Sequence, residues 1–239
     1  MRTDGRMPDE MRAMTIERGY TCHAEGSVLI HVGQTRVLCT AMVEDRVPPH
    51  CIGKGRGWVT AEYCLLPSSV PERRSLQRPV GGRTHEIQRL IGRALRGAVD
   101  LHRIGGRTIW IDCNVIQADG GTRTASITGG FVALVDALWS LKERGAFESI
   151  PLTQGIAAVS VGVVEGQPVV DLCADEDRAA SVDMNVVMTH DGRFVEVQGT
   201  AEGLAFSRDE HDAMLTLAQD AIARIRGLQA EALGERLVL

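Results

Sequence analysis

The chain has few aromatic residues, no closely spaced cysteines and no apolar opening segment, and each absence removes a class of protein. Aromatics supply only 4% of the 239 residues. The core must therefore be filled by Ala, Val, Leu and Ile around 26 glycines, a composition that favours closely packed α/β layers. The six cysteines (Cys22, Cys39, Cys51, Cys64, Cys113 and Cys173) contain no C-x-x-C pair, which argues against structural zinc and for reduced thiols. The first residues, MRTDGRMPDEM, are charged from the outset and contain no apolar h-region, so no targeting role is expected of them. Asp136 and Glu165 interrupt the most apolar stretches, so no membrane partner is expected, and the expected location is the cytoplasm. No Walker sequence is present. Gly53-x-Gly55-x-Gly57 does not join a strand to a helix and reads as a flexible turn, with Lys54 and Arg56 able to meet phosphate. The histidines have no metal-ligand spacing, and no Ser-His-Asp or Cys-His arrangement offers a nucleophile. With a net charge of −5, a polyanionic partner would need a local basic surface.

What is present orders itself into strands and helices. Ser27–Val32 and Arg36–Val43 are β-rich runs joined by Gly33-Gln34-Thr35, a hairpin by turn chemistry. Gly57–Leu65 is a further strand, followed up to Arg83 by a Ser-, Pro- and Arg-rich stretch without periodicity. Ile87, Leu90, Ile91, Ala94, Leu95 and Ala98 recur at helical spacing and predict an amphipathic helix over Thr84–Val99, with Arg89, Arg93 and Arg96 on the opposite face. A strand over Thr108–Ile116 then leads into a buried helix that ends near Gly145. The second half repeats this order. Hairpins pair Ile156–Val164 with Pro168–Leu172 and Val182–Met188 with Arg193–Val197. A helix opened by the capping box Ser207-x-x-Glu210 closes near Gly227. The chain reads as one domain, 1–239, with two similar halves of about 1–145 and 146–239.

The chemistry concentrates at helix starts. Gly120-Gly121-Thr122-Arg123-Thr124-Ala125-Ser126 enters the buried helix through two glycines, leaving free N–H groups, a positive dipole end and the Arg123 fork at one spot. Such a start either caps a helix or holds an anion. Arg83 follows Gly81-Gly82 at another helix start, so the two arginines could clamp one tetrahedral anion. From Glu72 to Arg96 there are seven arginines against two acids, which make either a solvated face or a surface for a polyanion. Asp175-Glu176-Asp177 precedes the strand that carries Asp183 and Asn185 on its polar side. These acids either hold Mg²⁺ or Mn²⁺ beside a phosphate or form an acidic turn with a cap.

Longer stretches carry a resemblance. Cys22-His23-Ala24-Glu25-Gly26-Ser27-Val28, Gly57-Trp58-Val59-Thr60-Ala61-Glu62-Tyr63, Gly82-Arg83-Thr84-His85-Glu86-Ile87-Gln88-Arg89-Leu90, Gln117-Ala118-Asp119 with the glycine motif, and Asp183-Met184-Asn185-Val186-Val187 through Val197-Gln198-Gly199-Thr200-Ala201-Glu202-Gly203 resemble the bacterial ribonuclease PH family nearly end to end. The resemblance implies an α/β (α+β) fold, a duplicated β-α-β unit of the ribosomal protein S5 domain 2-like type, assembled as a homohexameric ring. It implies a phosphorolytic 3′→5′ exoribonuclease that trims tRNA precursors with inorganic phosphate, releases nucleoside 5′-diphosphates and runs in reverse. Processing of rRNA could fall to the same activity. The family's phosphate-binding arginine falls on Arg83 and its phosphate motif on Gly121, Thr122 and Arg123. Its acidic pair, linked to catalysis and a divalent cation such as Mg²⁺, falls on Asp177 and Asp183. For an RNA substrate, Arg73, Arg74, Arg78, Arg89 and Arg93 become the candidate phosphate contacts. The chain departs from the family in a shorter loop over 68–80 and in His85, where the family often has Gln or Met. Two other readings are a non-catalytic ring subunit and an enzyme of small phosphorylated metabolites. Retention of Arg83, Arg123, Asp177 and Asp183 argues against the first, and the arginine-rich loop and helix against the second.

Overall fold

The computed structural model describes residues 2–73, 75 and 81–238. Strands β1 (Met14–Arg18), β2 (Gly26–Val32), β3 (Thr35–Glu44), β4 (Trp58–Leu65) and β5 (Thr108–Gln117) form a sheet in the order β1-β2-β3-β5-β4. Only β4 and β5 run parallel in this sheet. They are linked by α1 (Gly82–Arg96) and the short α2 (Leu101–Ile104), as a parallel pair requires. Then come α3 (Thr122–Glu143), β6 (Ile156–Val164), β7 (Gln167–Val170), α4 (Ala174–Ala179), β8 (Val182–Thr189), β9 (Phe194–Ala201) and α5 (Arg208–Leu233). The second sheet is antiparallel in the order β7-β6-β8-β9. The mixed α/β class expected from the element order is the one found.

Side-chain alternation explains the layering. Val28, Ile30, Val37, Cys39, Ile109 and Ile111 point from the first sheet into one core with α1 and α3, which Ala158 and Val187 of the second sheet also enter. The opposite face of the second sheet, through Ala157, Val159, Met184 and Val186, packs on Met214, Ala218 and Ile222 of α5. Helix α3 thus lies between two sheets. Gly26 permits this closeness, since a Cβ there would sit 1.9 Å from the Ala133 carbonyl oxygen.

Several expectations are corrected. Asp136 does not keep α3 from being long and apolar enough to cross a membrane, yet 89% of its apolar window is buried inside the protein. Asp136 is neutralised there by Arg18 Nε at 2.8 Å and Arg236 Nη1 at 2.9 Å. Helix α5 passes Gly227 and continues to Leu233. Gln229 and Leu233 are buried beyond the expected stop, and that burial outweighs the roughly 1 kcal/mol cost of a helical glycine. Helix α1 begins at Gly82, earlier than the apolar spacing indicates, and ends at Arg96. Strand β1 escaped the sequence because only Met14 and Ile16 mark its inner face.

The acidic triplet Asp175-Glu176-Asp177 is the first turn of α4, and its middle residue is structural. Glu176 is 1% exposed and meets Arg2 Nε at 2.7 Å, Arg2 Nη2 at 2.8 Å and Arg6 Nη2 at 3.2 Å. Burial would raise its pKa, but hydrogen bonds from Arg2 and the Cys173 N–H, with the charges of Arg2 and Arg6, bring it down to about 2. A depressed carboxyl contributes stability that is complete above its unfolded value and is lost as pH falls toward the folded one. Acid titration of the fold should therefore lose a Glu176 contribution between about pH 4.5 and pH 2. Glu176→Gln should abolish that contribution and, at neutral pH, destabilise by about 3–5 kcal/mol in urea unfolding, because Arg2 is left buried and unpaired. An unchanged midpoint would refute the role assigned to this pair.

Candidate functional site

Two helix starts face one cleft. Helix α1 is entered through Gly81, with no side-chain cap, and Arg83 is its second residue. Helix α3 is entered through Gly120 and Gly121, with φ of +75° and +65°, again with no side-chain cap. Left-handed backbone is available to glycine at little cost. At Gly120 space forbids anything larger, since a Cβ would lie 2.3 Å from the Leu172 carbonyl oxygen. Protein contacts hold this turn from behind. Thr35 Oγ1 donates to Gly120 O at 2.7 Å and accepts from the Asp119 N–H at 2.9 Å, while Arg12 donates to Asp119 O. Arg12 is itself fixed by Asp171, with Nε–Oδ2 of 2.9 Å and Nη2–Oδ1 of 2.7 Å. Tyr63 Oη lies 2.8 Å from Thr122 Oγ1, and burial raises the phenol's pKa, keeping it protonated.

The cleft encloses about 250 Å³ and is lined by Arg83, Arg123, Asp183 and Asn185, together with Glu86, Gln198, Thr200 and Glu202. Pairing of β8 with β9 sets Asp183 opposite Thr200 and Asn185 opposite Gln198, which puts four polar side chains on one face. Arg123 Nη1 reaches Gln198 Oε1 at 3.4 Å and Glu86 Oε2 at 3.6 Å. Gln198 Nε2 donates to Glu86 Oε1 at 3.0 Å. These long contacts to Arg123 leave it available to a stronger acceptor. Burial pushes the Asp183 carboxyl up to about 6; Asp177 and, more weakly, Glu202 add to this, while Arg123 and Arg83 pull it down.

The cleft therefore joins Arg83, Arg123 and Asp183, with Gly121 and Thr122 at the head of α3. Asp177 is exposed on α4 and does not line the cleft, though its charge acts on Asp183. Arg89 is exposed on α1, and Arg93 pairs with Glu196 at 3.2 Å. Arg73 is exposed on the loop that follows β4, and the expected contacts Arg74 and Arg78 lie outside the described residues. Sequence reasoning gave no role to Glu86, Gln198, Thr200, Glu202, Tyr63 or Arg12. Period-two spacing of Gln198, Thr200 and Glu202 is the signal that could have found three of them.

Among the described residues, no group of three or more His, Cys, Asp or Glu is arranged to hold a metal. Asp177 and Asp183 are close enough for the charge of one to act on the other, and carboxylate oxygens of this kind are the ligands that Mg²⁺ or Mn²⁺ takes. Such an ion keeps several waters and takes its other ligands from a substrate phosphate. A cage for Ca²⁺ or a thiolate and imidazole site for Zn²⁺ does not match these oxygens.

Residues 10–139 match domain 1 of the 3′ exoribonuclease family (RNase PH), and residues 155–221 match domain 2 of the same family. Among solved structures, the chain is similar to Rrp46 of rice (Oryza sativa), with a TM-score of 0.79 and 19% identity over 97% of this chain and 100% of that one. It is also similar to a chain of the Archaeoglobus fulgidus exosome with RNA bound to the active site, at a TM-score of 0.82 and 22% identity over 95% and 91% of the two chains. A chain of an archaeal exosome core gives 0.77 and 21% over 97% and 90%. At these identities the likeness establishes a shared fold.

The two glycines of the turn should respond differently to substitution. Gly120→Ala adds a clash with the backbone at Leu172 and Cys173 to left-handed strain, whereas a Cβ at Gly121 first meets the Arg12 guanidinium at 3.2 Å. Gly121→Ala should cost about 1–3 kcal/mol, the usual strain of such a conformation. Gly120→Ala should cost more and lower the thermal midpoint by several degrees further. Equal midpoints for the two variants would show that the turn is not wedged against the 172–173 backbone.

Proposed function

The chain belongs to the 3′ exoribonuclease family, and from that premise we propose that it is a phosphorolytic 3′→5′ exoribonuclease that trims the 3′ ends of tRNA precursors. The observation that carries this reading is the convergence of Arg83, Arg123 and the uncapped start of α3 on the cleft that holds Asp183. Phosphorolysis brings an inorganic phosphate in line behind a phosphodiester, so two anions meet in a partly desolvated space. Two unit charges about 4 Å apart repel by about 4 kcal/mol at an effective dielectric of about 20. Two guanidiniums and the first amides of α3 offset that repulsion and fix the attacking oxygen. Positioning and electrostatics are then the sources of rate, and no covalent intermediate is needed.

Each residue has a distinct part. Arg123, held only by long contacts to Glu86 and Gln198, turns to the phosphate, and Arg83 closes on it from the α1 side. The amides of Thr122 and Arg123 point along the helix axis at the same anion. Tyr63 keeps Thr122 in place through its hydroxyl. Asp183 and Asp177 would hold the divalent cation, which when bound neutralises charge on the phosphodiester and its departing oxygen. Glu86 lies 3.6 Å from Arg123, so the pocket is not an unbalanced cluster of cations. The products are nucleoside 5′-diphosphates, and reversal adds nucleotides to an RNA end.

A ring of six copies follows from the same reading. Among the described residues no helix covers the outer face of the first sheet, which carries Met42 at 47% and Ile116 at 36% exposure. Half-buried Leu38 and Trp110 extend it, which suits contact with another copy of the chain.

Arg123→Ala should raise the phosphate concentration needed for half-maximal rate at least ~10-fold, since a charge-assisted contact contributes roughly 1.5–3 kcal/mol. Asp183→Asn should lose most activity while retaining RNA affinity. Both are read on tRNA with a short 3′ extension, with and without phosphate. Diphosphates released only with phosphate support phosphorolysis; monophosphates, or wild-type kinetics in either variant, overturn it.

A further inference from the structure

Away from the cleft, at the other end of α1, four cationic or aromatic side chains gather with no carboxylate among them. Trp58 is half-buried at the start of β4, the edge strand of its sheet. The Arg96 guanidinium lies 4.4 Å from its ring centroid and that of Arg56 5.6 Å, with His50 edge-on at 4.7 Å. Arg96 also donates to Val59 O at 2.9 Å, which anchors it to the strand edge. Arg56 Nε has no acceptor among the described residues. The nearby arginines at the margins are spoken for: Arg46 by Glu44, Arg93 by Glu196, Arg107 by Asp45. Arg56 and Arg96 have no acid within ion-pair distance among the described residues, and residues 46–61 contain no Asp or Glu at all. Exposed Lys54 belongs to the same run.

Holding two guanidiniums on one ring without a counter-ion is unfavourable unless an anion completes the arrangement. Cation–π attraction offsets part of that repulsion and fixes both forks in place, with Arg56 Nε left without an acceptor among the described residues. Burial, and then the like charge of Arg93, lower the Arg96 pKa, a sign that positive charge is crowded here.

The corner lies at a definite distance from the cleft. Thirteen helical residues separate Arg83 from Arg96, about 20 Å at about 1.5 Å per residue. Along β4, Trp58 is about 17 Å from Tyr63, which touches Thr122. Arg89 is exposed on α1 between the two ends. At about 3.4 Å per stacked nucleotide, the separation is about six nucleotides.

We propose that the Trp58 corner is a second RNA-binding site, at which Arg56 and Arg96 grip backbone phosphates about six nucleotides behind the 3′ end while Trp58 keeps the two guanidiniums in register. The corner sets exposed His50 and Lys54 beside half-buried Arg56, Trp58 and Arg96 and follows the exposed arginine of α1, which suits a polymer better than a small phosphorylated compound. This inference rests on the exoribonuclease reading for its ligand, but it concerns substrate grip and leaves the phosphate cleft untouched.

The test compares single-stranded RNAs of about four and about twelve nucleotides, in binding across a salt series and in phosphorolysis. Arg56→Ala is the first variant, because Arg56 makes no protein hydrogen bond at Nε that the fold would lose. The double variant Arg56→Ala with Arg96→Gln is the second. For the longer RNA, the single variant should bind about 10-fold more weakly, with a further loss in the double variant. The salt slope should fall by about 0.7 for each phosphate contact removed. Affinity for the short RNA and the phosphate dependence of the rate should not change. A wild-type affinity of both variants for the longer RNA, or an equal loss at both lengths, overturns the site. Failure of the wild-type protein to release diphosphates from either RNA would instead strike the exoribonuclease reading, while the length-dependent binding still decides the corner.

Discussion

A helix enclosed on every side can offer solvent only its ends, and the rest of this molecule is arranged around that constraint. Helix α3 lies between two sheets, with residues from Ala125 to Leu138 almost without exposure. Its position is fixed by packing, so the direction of its dipole and the location of its first amides are fixed too. An anion site built at that end needs no movement of the scaffold. The cost falls on the connection into the helix, which must reverse sharply against the neighbouring backbone. Consecutive left-handed glycines at 120 and 121 meet that demand.

The second consequence concerns charge. All but two of the 26 basic residues are arginine, the exceptions being Lys54 and Lys142. Arginine can be buried beside carboxylates and can answer two acceptors at once, and the chain uses both properties. Arg2, Arg6 and Arg12 of the N-terminal segment lie on Asp171 and Glu176 and tie that segment to the turn before α4. Arg83 and Arg123 are the opposite case: Arg83 is exposed, and half-buried Arg123 is restrained only by long contacts to Glu86 and Gln198. The same side chain thus serves as a structural rivet where its acids are buried, and under the proposed function it is the receptor where they are not.

The sequence reveals periodic features well and distant pairings poorly. Helical spacing of Ile87, Leu90, Ile91 and Leu95 locates α1, and the glycine pair before Thr122 locates the head of α3, because each is a local pattern. Arg83 and Arg123 are recognisable for the same reason, each next to its own Gly-Gly. Nothing local tells that Arg12 reaches Asp171, 159 positions away, or that Arg2 reaches Glu176. The acidic triplet showed the resulting ambiguity: its three carboxylates look alike in sequence. Only the fold separates Glu176, buried under arginines, from Asp177, exposed on the side from which its charge reaches Asp183. Period-two spacing puts Gln198 and Thr200 on one face of β9, but that this face meets Asp183 and Asn185 is set by register, a property of two strands.

The two arginine systems are not independent, because the structural one braces the turn that leads to Arg123. Asp171 has a positive φ of 54°, an uncommon conformation for a residue with a side chain. Its carboxylate accepts from the Arg12 N–H at 2.8 Å and from the guanidinium, and these bonds hold it there. Arg12 then passes the restraint to Asp119, and Asp119 Oδ1 accepts the Ala174 N–H at 3.2 Å, closing a loop of contacts around Gly120 and Gly121. Loosening any member would let the turn relax toward ordinary backbone angles and point the first amides of α3 elsewhere. The N-terminal segment therefore helps to set the shape of the cleft, although none of its side chains lines it.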